Sequence, residues 1–166
     1  MSEQEQFKAG FEKVIRKYGD TVYYIALLHT KNNMDAQDIV QEVFLKYAEN
    51  TKPFESEEHV KAWLIRVAIN MCTNLSKSSW VTKTTELNDA VLPAGEFPYD
   101  DNGVSAAVKN LPEKYRNVIH LFYFEGYSIK EIGEITSQNI SAVKVQLSRA
   151  RKLLKNTLRE EFGYGL

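Results

Sequence analysis

The chain has 166 residues, of which 43% are hydrophobic and 26% are charged. This is enough apolar material for a packed core and excludes a chain that is disordered throughout. It has one cysteine, Cys72, so an intrachain disulfide is excluded. The polar N-terminus argues against a secretory signal, and the lack of an apolar run of about 18 residues argues against a transmembrane helix. We therefore expect a soluble cytoplasmic protein.

Charge is segregated along the chain, although the net charge is only −1. Residues 61–85 include four basic residues and no acidic one, whereas residues 86–101 include five acidic residues and no basic one. Residues 136–159 include six basic residues and again no acidic one. Solvated helix faces would mix the two signs, so this pattern favours separate surfaces for phosphate and for basic partners.

Helical periodicity begins near the N-terminus. Apolar residues recur with helical spacing from Phe7 to Tyr18, and Gly19 is expected to end that helix. A separate apolar stretch, Val22–Leu28, follows and leads into a polar turn.

Two further helices are predicted before the middle of the chain. One runs from about Asp35 to Asn50, and Ser56 has the side chain of an N-cap for the next, which should reach about Ser78. The side chains of that helix predicted to face inward are Val60, Trp63, Leu64, Val67, Ala68 and Met71.

Periodicity disappears over residues 81–103, where prolines, glycines and acidic residues predict a flexible acidic linker. Helices then resume at about Val104–Asn110, Pro112–Phe124, Ser128–Ile135 and Asn139–Arg159. We therefore predict an all-α fold of two small helical domains, residues 1–80 and 104–166.

The C-terminal domain has the pattern of a helix-turn-helix. Ser128 and Glu131 form a capping box before a short helix, the polar turn Thr136–Asn139 follows, and a long basic helix begins. The residues of the long helix predicted to face the core are Val143, Leu147, Ala150 and Leu154.

The opposite face of the long helix is predicted to bind duplex DNA. Its polar and cationic residues, here called the basic stripe, are Lys144, Ser148, Arg151, Lys152 and Lys155, with Val145 and Arg149 on the flank. The first residues suit contacts to base edges and the later cations suit phosphates. An ordinary amphipathic helix with a solvated basic face is the alternative.

A second set, the acidic stripe, lies on the helix that starts near Asp35. Asp35, Asp38 and Glu42 are spaced i, i+3, i+7, and Gln41 lies beside them. An exposed row of carboxylates repels DNA and suits a basic protein surface. Catalytic carboxylates are not indicated, because no histidine, lysine or metal ligand accompanies them; solubilisation of the helix is the alternative.

A third set, the polar stripe, follows the helix capped by Ser56. Its members are Lys61, Trp63, Arg66, Asn70, Asn74 and Lys77. Asparagine can hydrogen-bond a base edge, and an aromatic ring with flanking cations suits an unstacked strand. Surface decoration, or a core position for Trp63, are the alternatives.

These segments in this order resemble an extracytoplasmic-function sigma factor of bacterial RNA polymerase. Asp35–Phe44 is similar to region 2.2 and Trp63–Asn70 to the region that melts the promoter −10 element. Leu111–Leu154 is similar to region 4, which recognises the −35 element. Trp63 stands almost alone where primary sigma factors have several aromatic residues, and Val145 occupies a position that is often polar.

The resemblance implies partners and no cofactor or small-molecule substrate. The acidic stripe would bind the clamp helices of the large polymerase subunit, and region 4 would also dock on the polymerase flap. The polar stripe would bind the −10 element and the basic stripe the −35 element. An anti-sigma factor, commonly membrane-anchored, is implied as well.

Two other classes of function remain. A helix-turn-helix regulator with a separate N-terminal interaction domain explains the basic stripe but leaves the acidic and polar stripes without a role. An enzyme or metal protein is disfavoured, because His29, His59 and His120 lack metal-ligand spacing and no glycine-rich phosphate loop occurs. Cys72 is expected to be a small buried apolar residue.

Overall fold

The computed structural model describes residues 2–30, 32–76 and 103–162, and every regular element in those ranges is helical. The chain divides into two compact units, residues 1–92 and 93–166. The first contains α1 (Glu3–His29), α2 (Asn33–Glu49) and α3 (Glu57–Ser76). The second contains α4 (Val104–Lys109), α5 (Glu113–Ile119), α6 (Ile129–Thr136) and α7 (Ile140–Phe162). The expected all-α class is confirmed.

The predicted linker, residues 81–103, lies outside the described residues except for Gly103. The domain limits at residues 80 and 104 therefore stay a prediction.

The prediction that Gly19 ends the first helix is wrong. Helix α1 continues through it, and a Cβ at that position would meet only Ile15 Cγ2, at 3.9 Å. One interior glycine costs a helix about 1 kcal/mol. Burial of Tyr18 and Val22 on either side outweighs that cost, since removing one large apolar side chain from water contributes roughly 1.5–3 kcal/mol.

Helices α1, α2 and α3 pack against one another in pairs and enclose one apolar core. Side chains with no solvent exposure come from all three helices and include Val22, Ile25, Val43, Leu64, Ile65 and Ala68. At the rim, Tyr18 Oη donates to the Glu57 carbonyl at 3.3 Å, and Lys17 pairs with the Glu57 carboxylate. The hydrogen bond between the Lys17 ammonium and the Glu57 carboxylate raises the pKa of Lys17 and lowers the pKa of Glu57.

The buried face of α3 is rotated from the predicted one. Leu64 and Ala68 are buried as expected, but Val60, Val67 and Met71 are only half-buried. Their places in the core are taken by Ile65, Ile69 and Cys72. Helix α3 packs against both α1 and α2, so its buried face is set by these two contacts and not by apolar spacing alone. The expected burial of Cys72 is confirmed.

In the second unit, α4, α5 and α6 each pack on the long helix α7. The fully buried side chains include Val118, Leu121, Ile132, Val143 and Ala150. The helix expected over Pro112–Phe124 has two parts, because α5 continues into a π-helical turn, His120–Phe124. The Glu125 backbone N–H donates to the His120 carbonyl at 3.0 Å, which is the i to i+5 bond of that turn.

Candidate functional site

The turn between α6 and α7 is fixed by close backbone contact. Ser137 adopts a left-handed conformation, with φ of 57°, and the Gln138 N–H donates to the Gly133 carbonyl at 2.8 Å. A Cβ on Gly133 would lie 2.6 Å from the Gln138 carbonyl oxygen. Glycine at this position therefore lets α7 leave the turn in close contact with α6.

Side chains lock the same turn. The Thr136 hydroxyl donates to the Ile132 carbonyl at 2.7 Å and accepts from Gln138 Nε2 at 2.8 Å. Gln146 Nε2, on the second turn of α7, donates to Gln138 Oε1 at 2.5 Å. The Asn139 side chain caps α7 by accepting from the Ala142 N–H at 2.7 Å. Hydrogen bonds thus tie the turn to both helices, and the capping box of Ser128 and Glu131 begins α6 as predicted.

Helix α7 presents the basic stripe to solvent. All members of the stripe and both flanking residues are exposed: Lys144, Val145, Ser148, Arg149, Arg151, Lys152 and Lys155. Val143, Leu147 and Ala150 are buried as predicted, whereas Leu154 is half-buried. The predicted orientation of α7 is therefore confirmed, and the DNA-binding roles of its residues stay a prediction.

Arg151 has contacts that its spacing did not indicate. Its Nε donates to Tyr123 Oη, and its guanidinium carbon lies 5.5 Å from the ring centres of both Phe122 and Tyr123. Both aromatic residues come from the π-helical turn, and Tyr123 is 58% exposed. The only sequence signal for this contact is the aromatic run Phe122–Phe124 before Gly126. Helical periodicity assigned that run to an ordinary helix and did not indicate a contact with Arg151.

One member of the acidic stripe is not exposed. Asp35 is only 4% exposed: its carboxylate accepts from Asn32 Nδ2 at 2.9 Å, and its N–H donates to Asn32 Oδ1 at 2.8 Å. Asp35 therefore secures the start of α2, and the prediction that its side chain is exposed is wrong. Its predicted role in polymerase binding stays a prediction. Asp38, Gln41 and Glu42 are exposed as predicted.

Helices α2 and α3 form a groove of about 430 Å³ beside these carboxylates. The groove is lined by Asp35, Asp38, Ile39, Gln41, Glu42, Met71 and Asn74. Its lining combines the carboxylates of α2 with the apolar side chains of Ile39 and Met71, which suits a partner helix that is both basic and apolar. Asn74, predicted to bind DNA, lies among carboxylates that repel phosphate.

The rest of the polar stripe is divided. Arg66 and Asn70 are exposed one turn apart, whereas Lys61 is half-buried. Trp63 is half-buried, with its ring centre 6.1 Å from that of Tyr47 and 5.6 Å from that of Phe54. Trp63 is thus part of an aromatic cluster, and the sixth member, Lys77, lies outside the described residues.

Metal-ligand clusters, titratable groups and membrane-spanning helices were the remaining features to be compared with the sequence. Within the described ranges, no group of three or more His, Cys, Asp or Glu side chains could hold a metal ion. Burial, with a smaller contribution from Arg116, lowers the pKa of Lys109, the last residue of α4. None of the helices in the described part of the chain is long and apolar enough to cross a membrane.

Two family models match the chain. The model described as Sigma-70 region 2 matches residues 14–81, which include the acidic and polar stripes. The model described as Sigma-70, region 4 matches residues 102–154, which include the helix-turn-helix.

Two relatives match along most of this chain. The RNA polymerase sigma factor SigV of Bacillus subtilis (strain 168) is 30% identical over 163 residues, covering 97% of this chain and 98% of the relative. The ECF RNA polymerase sigma factor SigW of the same strain is 28% identical over 167 residues, covering 90% and 89%.

Two solved structures have the same fold. The sigma factor RpoE in complex with the anti-sigma factor NepR, from Bartonella quintana, matches with a TM-score of 0.67 at 22% identity, over 95% of this chain and 99% of that chain. CnrH in complex with the cytosolic domain of CnrY also gives 0.67, at 19% identity, over 93% and 90%.

Proposed function

Because this chain belongs to the extracytoplasmic-function sigma factors, which bind core RNA polymerase and promoter DNA to direct transcription initiation, we propose how its surfaces divide that work. It is an alternative sigma factor and not an enzyme. The observation that supports the division is that α2 of the first unit carries exposed carboxylates, whereas α7 of the second unit carries exposed cations. A regulator with an unrelated N-terminal domain is set aside, since the region 2 match covers residues 14–81.

Run-off transcription tests this function directly. Purified core polymerase is incubated with genomic fragments, with and without the chain. Transcripts that start at defined positions only when the chain is present would support the proposal and would supply its promoter sequence. Unchanged transcripts under both conditions would contradict it.

The polymerase contact is proposed to be the α2–α3 groove with Asp38, Gln41 and Glu42 on its acidic side. Its occupant would be the clamp helices of the large polymerase subunit. Asn74, predicted from the sequence to bind DNA, is proposed to contact polymerase instead, because it lines the groove. Asp35 acts by holding the start of α2.

Arg66 and Asn70 are proposed to bind the melted −10 strand, because they are exposed in a segment that carries no acidic residue. Asn70→Ala should impair promoter opening while leaving core binding unchanged, since one amide that contacts a base is lost. Permanganate reactivity of unpaired thymines measures the opening. Asn74→Ala, one turn further along α3, is the matched control and should weaken core binding instead. Normal opening with Asn70→Ala would remove this residue from the site.

Two cations of α7 are proposed to act differently on the −35 duplex. Arg149→Ala should change sequence preference at one base pair, costing roughly 1–3 kcal/mol there. Lys155→Ala should weaken all sequences about equally and flatten the slope of log K against log salt by about 0.9, the value for one lost phosphate contact. Competition binding with single-base variants of the −35 element separates the two effects. Identical profiles for the two variants would contradict this division.

The family and the matched structures support a proposal for how this chain is regulated. The matched RpoE and CnrH structures contain an anti-sigma factor and a cytosolic domain of CnrY, respectively. We infer that an anti-sigma factor, commonly membrane-anchored, also binds this chain, and that the chain acts in the cytoplasm, where core polymerase and promoters lie. Docking of region 4 on the polymerase flap is likewise proposed.

A further inference from the structure

The contact between Arg151 and the π-helical turn joins two elements that the helix-turn-helix pattern does not connect. Phe122 and Tyr123 meet edge to face, with ring centres 5.0 Å apart and an interplanar angle of 78°. The Arg151 guanidinium carbon lies 5.5 Å from each ring centre, and its Nε donates to Tyr123 Oη. An otherwise mobile side chain is thereby held at the surface, which reduces the conformational entropy it would lose on binding.

The pair retains donors for an anion. Tyr123 accepts one of the five N–H groups of the guanidinium, so both terminal nitrogens keep theirs, and the Tyr123 hydroxyl keeps its own proton to donate. The acid nearest in sequence, Glu125, is turned inward: its side chain is 6% exposed and lies 3.7 Å from His120 Nε2. The cationic guanidinium of Arg151 and the hydroxyl of Tyr123 together offer several hydrogen-bond donors, which suits the oxygens of a phosphate.

We propose that Tyr123 and Arg151 together bind one phosphate of the promoter duplex, with Phe122 as the platform for the guanidinium. This inference rests on the proposed role of α7 at the −35 element. Duplex DNA is favoured as the partner because Arg151 belongs to the same exposed stripe as Lys144 and Lys155. The π-helical turn thereby adds a DNA contact from outside the helix-turn-helix.

A double-mutant cycle on the full-length chain tests this site. The probe is a fluorescein-labelled duplex of mixed sequence, about three helical turns long, and binding is followed by anisotropy over a series of KCl concentrations. Arg151→Ala should weaken binding and flatten the salt slope by about 0.9. Tyr123→Phe, which keeps the ring and removes the hydroxyl, should weaken binding about threefold, as expected for one lost hydrogen bond.

The cycle distinguishes a joint site from two independent effects. Tyr123→Phe should have no further effect in an Arg151→Ala background and its full effect in a Lys155→Ala background, which is the matched control. Circular dichroism checks that each variant is folded. Equal effects of Tyr123→Phe in both backgrounds, or none in the unmodified chain, would overturn the joint site.

Two other outcomes identify a different error. If Tyr123→Phe weakened core polymerase binding and left duplex binding unchanged, the partner of the pair would be a protein carboxylate and the phosphate site would be overturned. If the unmodified chain showed no salt-dependent duplex binding, the proposed role of α7 would fail together with this inference. If the unmodified chain bound duplex DNA in a salt-dependent way but Tyr123→Phe left that affinity unchanged, only this inference would be overturned.

Discussion

Replacing both Asp38 and Glu42 with lysine is expected to weaken binding of core RNA polymerase by more than about tenfold, because like charges brought together at an interface cost several kcal/mol. Both side chains are exposed and line the α2–α3 groove. The substitutions convert its acidic side into a basic one that repels a basic partner helix. Titration of labelled chain with purified core polymerase measures the effect.

The matched control changes charge by the same amount elsewhere in the first unit. Glu12 and Asp20 are exposed on α1 and do not line the groove. Glu12→Lys combined with Asp20→Lys should leave core affinity within about twofold, because neither side chain lines the groove and salt screens exposed charges. Equal loss in the two double variants would indicate a general charge effect. Unchanged core affinity in a well-folded Asp38 and Glu42 double variant would remove the groove from the polymerase contact.

Features set by neighbouring residues could be predicted from the sequence. The caps at Ser56 and Ser128 lie where expected, because an N-cap hydrogen bond joins residues three positions apart. The exposed face of α7 was correctly predicted for the same reason: its 3.6-residue periodicity is a local property that one dominant apolar stripe makes unambiguous.

Other features could not be predicted, because they depend on contacts between helices or on which of two local roles a side chain takes. Gly19 has the local signature of a helix end, but packing of α1 against α2 and α3 carries the helix through it. Asp35 was missed for a local reason: helical spacing places it in an exposed row, but Asn32, three residues earlier, hydrogen-bonds its carboxylate where α2 begins, and Asp35 is buried there. Contact of Tyr123 with Arg151 depends on a π-helical turn, which adds a residue to the helical repeat and so escapes an analysis based on 3.6 residues per turn.

Gly133→Ala is expected to destabilise the C-terminal unit by about 1–3 kcal/mol, the usual cost of forcing an extra group into a packed site. The new Cβ would lie 2.6 Å from the Gln138 carbonyl oxygen, a backbone atom held by the turn. Helix propensity alone predicts the opposite sign, a gain of about 1 kcal/mol. A loss of stability would therefore show that the steric clash outweighs the gain in helix propensity. DNA binding should weaken as well, because relief of the clash moves α7 relative to α6.

Thermal unfolding followed by circular dichroism measures this, with hydrogen exchange assigning the transition to residues 103–162. A change of 1 kcal/mol shifts the midpoint by about 4–8 °C in a domain of this size, so a decrease of roughly 10 °C is expected. Gly19→Ala is the control: a Cβ there meets its nearest neighbour at 3.9 Å, so the same substitution should stabilise the first unit by up to about 1 kcal/mol. If Gly133→Ala stabilised its unit as Gly19→Ala should, the close approach of α6 to the turn would be refuted.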